Sequence, residues 1–76
     1  MNKLLEILED IEPGVDYAAE EHLIDDGLLT SISLLSLVSE LEDAFDIEIL
    51  PADLIPANFN SAKAMWAMIQ RLQEGN

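Results

Sequence analysis

With 76 residues, 16 acidic side chains against 3 basic ones and no cysteine, the chain has material for one small domain and no disulfide or thiolate-bound metal to staple it. A net charge of −13 opposes nucleic acid, whose phosphates call for Lys and Arg, and opposes anionic membrane surfaces. No run nears the roughly 20 apolar residues of a membrane span.

Helix packing remains as the source of stability, and half of the residues are hydrophobic. The acidity predicts attraction to proteins with basic patches. Solubility alone is the plainer explanation, but such a charge on a short chain costs self-repulsion. Met1-Asn2-Lys3-Leu4 does not open a signal peptide, so the expectation is a cytoplasmic protein, acting as a monomer.

Residues 2–11 form the first predicted helix. Leu4, Leu5, Leu8 and Ile11 recur at helical spacing with Ile7 beside them, and Pro13-Gly14 stops the run. Residues 12–30 make a long connection, pinned by Val15, Tyr17, Leu23, Ile24, Leu28 and Leu29, with a helical turn expected near 18–23. Long loops of this kind are commonly functional.

Residues 31–46 form the second predicted helix. Leu34, Leu37, Val38, Leu41 and Phe45 make its inner stripe, and Ser36, Ser39, Glu40 and Asp43 its polar face. Thr30 is the expected N-cap. Ile32 points about 160° away from Leu34 at 100° per residue. It is either a contact for another protein or packed under the preceding loop.

Asp46-Ile47-Glu48-Ile49-Leu50 alternates polar and apolar, but a lone strand is unstable. It is expected to be an extended connector burying Ile47 and Ile49. A short third helix is predicted to start at Pro51, limited by Pro56. The last helix is predicted over 61–73 with Asn60 as cap; Ala62, Met65, Ile69 and Leu72 face inward, flanked by Trp66 and Met68. Residues 74–76 are expected to fray. The pattern is an all-α, small four-helix bundle over residues 1–76: three main helices, a short third one, and a long loop between the first two.

Chemistry concentrates at Ser31. A helix N-terminus leaves N–H groups unpaired and carries partial positive charge, which suits a phosphate ester. Ser33, Ser36 and Ser39 are expected on the exposed side, further from that end, and Ser61 to assist capping. Ser31 with the lone His22 lacks a third orienting group, so a hydrolase is disfavoured. Asp25-Asp26-Gly27 lacks the order and closing Glu of a calcium loop. At most it offers a weak surface site for a divalent ion.

At Gly27-Leu28-Leu29-Thr30-Ser31 the chain resembles the acyl/peptidyl carrier protein superfamily, whose pattern is Gly, one or two variable residues, Asp, Ser and an apolar residue. The run Leu41-Glu42-Asp43-Ala44-Phe45-Asp46-Ile47-Glu48-Ile49 resembles that family's exit from its second helix. Asn58-Phe59-Asn60-Ser61 resembles the approach to its last. The resemblance spans essentially the whole chain. Gly-Leu-Leu before the serine and the short length look most like D-alanyl carrier proteins and related free-standing carriers.

The resemblance implies a non-catalytic carrier with covalent 4′-phosphopantetheine on Ser31, derived from coenzyme A and holding its cargo as a thioester. Implied partners are a phosphopantetheinyl transferase, an acyl- or aminoacyl-adenylating enzyme and a downstream acyltransferase. Thr30, Ile32, Glu40, Asp43, Asp46 and Glu48 are the candidate partner contacts; for the four acids a merely solvated face is the alternative. One departure stands out. Thr30 replaces the family's Asp, keeping a helix cap but losing a charge that meets basic residues of the transferase. The alternative reading is therefore an unmodified, carrier-like acidic module that binds basic proteins.

Overall fold

The computed structural model describes residues 1–75. Its elements are α1 (Asn2–Ile11), α2 (Ser31–Phe45), a 3₁₀ turn (Pro51–Asp53), α3 (Pro56–Phe59) and α4 (Ala62–Gln73). No strand occurs among the described residues. The molecule measures 32 × 23 × 21 Å.

α1 packs against α2 and α4, and α3 against α4. The apolar stripes meet in one core. Leu4 and Leu8 of α1, Leu37 and Leu41 of α2, Phe59 of α3 and Met65, Met68 and Ile69 of α4 are essentially sealed from solvent. Leu5, Ile11, Leu34, Val38, Phe45, Trp66 and Leu72 close its margins, half-buried. Phe45 meets Trp66 edge to face, with ring centroids 5.8 Å apart, a favourable aromatic geometry.

The α1–α2 connection is anchored from within. Tyr17, Leu23 and Leu29 are buried, and Val15, Ile24 and Leu28 half-buried. In place of one turn over 18–23 there are two. Asp16 O accepts from the Ala19 and Glu20 N–H groups; His22 O accepts from Asp26 N–H and Ile24 O from Gly27 N–H. Gly27 adopts φ 72°, a left-handed conformation that glycine reaches without steric cost.

Three boundaries differ from the sequence expectation. Pro56 opens α3 at its first position, where a missing N–H is no loss and its fixed φ suits the helix; the segment from Pro51 is a single 3₁₀ turn. Ser61, not Asn60, caps α4, its Oγ accepting from Ala64 N–H at 3.0 Å. Asp46 lies beyond the end of α2, left-handed at φ 53°. Ile47 N–H then doubles back to Glu42 O at 3.3 Å, a Schellman-type closure. Ile49 is buried and Ile47 half-buried in the extended connector. Glu74 and Gly75 form a turn after α4; the expected fraying of Asn76 falls outside the described residues.

Candidate functional site at the head of α2

Ser31 is the first residue of α2. Thr30 takes an extended backbone (φ −86°, ψ 173°) and its Oγ1 accepts from Ser33 N–H at 3.2 Å. Leu34 N–H opens the helical ladder on Thr30 O at 2.8 Å. The N–H groups of Ser31 and Ile32 precede that ladder, at the positive end of the helix dipole. Ser31 is exposed, and its hydroxyl has no hydrogen-bond partner among the described residues. An accessible, unengaged hydroxyl beside free amides fits a phosphodiester link.

The loop leading to Ser31 is clasped from across the molecule. Asn60 Oδ1 accepts from Ile24 N–H at 2.9 Å and Asp25 N–H at 3.1 Å, and its Nδ2 donates to Asp25 Oδ2 at 3.2 Å. Asn60 O also accepts from Leu23 N–H at 2.9 Å. This is why Asn60 does not cap α4: its side chain is committed to the loop.

Ser33 is a second correction. It is half-buried, not on the exposed side. Its hydroxyl donates to Glu12 Oε2 at 3.0 Å and lies 3.1 Å from Thr30 Oγ1. Glu12 is held in turn by Tyr17, whose hydroxyl sits 2.6 Å from Glu12 O and 3.2 Å from Leu8 O. Burial pushes the Tyr17 phenol up to about 12, helped by the Glu12 and Glu9 carboxylates.

Around Ser31 the surface has two characters. Ile32 is 78% and Leu35 71% exposed, so Ile32 is not packed under the loop. Leu35, one turn along from Ile32, is an apolar surface residue that sequence reasoning passed over; the signal was there in the three-residue spacing. Nearby, Ile24, Leu34, Leu54, Ile55, Pro56 and Phe59 line an apolar cleft of about 210 Å³.

On another side, Glu40 and Asp43 face Glu6 and Asp10 of α1 across a groove of about 460 Å³, with Lys3 also lining it. Asp46 and Glu48 are exposed beyond the end of α2. The carboxylate of Glu42 turns inward instead, its Oε2 accepting from Ile49 N–H at 2.9 Å. In the loop, Glu20, His22 and Asp26 bring their polar atoms within 4.8 Å of one another. His22 and Asp26 are exposed, and Glu20 Oε1 accepts from His22 N–H.

Similarity to known proteins extends over nearly the whole chain. It is 30% identical over 77 residues to the D-alanyl carrier protein of Lactococcus lactis subsp. lactis strain IL1403, covering 97% of this chain and 96% of the relative. Over the same span it is 31% identical to the D-alanyl carrier protein of Lactococcus lactis subsp. cremoris strain MG1363. The chain belongs to the D-alanyl carrier protein family. No family model matches it, and no solved structure matches it significantly. As a carrier protein it is not an enzyme. No helix among the described residues is long and apolar enough to cross a membrane.

Proposed function

We propose that this carrier holds an acyl or aminoacyl group on a 4′-phosphopantetheine arm attached to Ser31 and presents it to partner enzymes in the cytoplasm. The relatives' name makes D-alanine the first cargo to test. The observation that carries the reading is the exposed, unengaged Ser31 hydroxyl at the first position of α2. The arm supplies a terminal thiol, which holds the cargo as an energised thioester. The chain's own contribution is the oxygen, a rigid helix that aims it, and a recognition surface.

Attachment joins Ser31 Oγ to the β-phosphorus of coenzyme A and releases adenosine 3′,5′-bisphosphate. The seryl proton leaves to a base of the phosphopantetheinyl transferase. An adenylating enzyme then loads the cargo, and an acyltransferase receives it. Thr30, Ile32 and the acids Glu40, Asp43, Asp46 and Glu48 are the proposed partner contacts. Incubation with a broad-specificity transferase and coenzyme A is expected to add one phosphopantetheine by intact mass, and Ser31→Ala to abolish the gain. No gain with any transferase would sink the reading.

Thr30 favours a second reading, because the position before the serine lacks a carboxylate. In it the carrier fold serves as an unmodified acidic docking module. Partner binding would then be indifferent to Ser31→Ala but weakened by charge reversal at Glu40 and Asp43.

A further inference from the structure

We propose that Glu12 is a positioning residue for Ser31, acting through the Ser33 hydroxyl. The inference rests on Ser31 being the attachment point. An ionised carboxylate only accepts, so the bond of 3.0 Å between Ser33 Oγ and Glu12 Oε2 uses the Ser33 proton. Ser33 Oγ then accepts from the Thr30 hydroxyl at 3.1 Å. Thr30 Oγ1 in turn accepts from Ser33 N–H at 3.2 Å. Every hydroxyl in this run is oriented by the carboxylate at its end, and each bond polarises the next.

The two bridged residues, Thr30 and Ser33, bracket Ser31 and Ile32. Clamping the first and last of four consecutive residues restricts the two between them. Ser31 stays exposed while the turn that carries it is tied to the end of α1. The other end of the tie is firm. Glu12 N–H donates to Leu8 O at 2.9 Å, and Glu12 O accepts from the buried Tyr17 hydroxyl at 2.6 Å. A continuous path of bonds thus runs from the core, through Tyr17, Glu12, Ser33 and Thr30, to the start of α2. The negative charge of Glu12 beside that helix start adds a favourable interaction with its dipole. Without the tie, the first turn of α2 would depend on the Thr30 cap alone, and helix ends so held fray readily.

The test uses the full chain with Glu12→Ala, Glu12→Gln, Ser33→Ala and the Glu12→Ala/Ser33→Ala double variant. Transfer of phosphopantetheine to Ser31 is followed by intact mass. Amide exchange of Ser33 and Leu34, whose N–H groups are bonded to Thr30, is followed by NMR, with Leu41 and Ile69 in the core as controls for global stability. Loss of one charge-assisted bond is expected to lower kcat/KM of transfer, and to raise first-turn exchange, about five-fold in each alanine variant. Core exchange should hold still. The double variant should be no slower than the singles, since both cut the same path. Glutamine keeps an oxygen for Ser33 to donate to, so Glu12→Gln should stay within about two-fold of the native rate.

Native rates in both alanine variants, additive losses in the double, or a Glu12→Gln variant as slow as Glu12→Ala would each overturn the proposal. If the native chain takes up no arm at all, the reading of Ser31 fails separately. Exchange then decides: a loosened first turn supports the tie, and an unchanged one refutes it.

Discussion

Thr30 has one role that can be measured apart from any partner. Its oxygen satisfies Ser33 N–H, so Thr30→Ala should cost about 1 kcal/mol, read as a lower urea midpoint, whereas Thr30→Asp keeps the cap but cannot donate to Ser33 Oγ and should recover only part of that loss. Tyr17 gives a pH signature. Its phenol is pushed up to about 12 from 10.0 in the free side chain, so between those values the folded chain keeps a proton that the unfolded chain has lost. Stability from this group is therefore complete below pH 10 and drains away as pH rises toward 12. Tyr17→Phe should be less stable at pH 7, with Glu12 O deprived of its donor, and its thermal melts should show a smaller alkaline decline. Thr30 was legible because a cap needs only its own neighbours. The Ser33–Glu12 bond spans 21 residues and the Asn60–Ile24 bond 36, and no local spacing encodes such pairs. Asn60-Ser61 offered two cap-competent side chains in a row, and the loop's claim on Asn60 decided between them.

At the scale of the element, α2 shows how a stripe sets direction and leaves ends to chemistry. Leu37 and Leu41 are sealed in the core, as their spacing predicts, and Leu41→Ala should cost about 2–5 kcal/mol, enough to unfold much of so small a domain. The exit is different. Asp46 at φ 53° occupies a conformation that glycine takes without a Cβ penalty. Asp46→Gly should thus raise stability by about 0.5–1 kcal/mol, measured by urea midpoint. The third helix shows why proline punctuation is ambiguous from sequence. Pro56 breaks whatever precedes it yet suits the opening of whatever follows; only the burial of Phe59 in the common core selects the second use.

For the molecule as a whole, the strongest force not settled by packing is self-repulsion. A net charge of −13 on a body 32 Å long is spread over separations that salt can screen. Thermal stability should therefore rise with ionic strength between about 0.05 and 0.5 M. Glu40→Lys and Asp43→Lys relieve repulsion with Glu6 and Asp10 across their groove. They are expected to raise Tm; if they also weaken capture by a basic partner, that pairing of gain and loss would mark the groove as recognition surface. Equal partner affinity would assign these acids to solvation alone. The four-helix plan was legible from periodicity, because each helix buries a stripe. The acids of α1 opposite those of α2 were not, since their meeting depends on how two helices lie together. The edge-to-face contact of Trp66 with Phe45 has a practical use. The chain has a single tryptophan, and its neighbour ends α2 about 21 Å from the helix start, at 1.5 Å per residue. Indole fluorescence should consequently track cooperative melting while staying blind to chemistry at the serine, giving each variant an internal gauge of intactness.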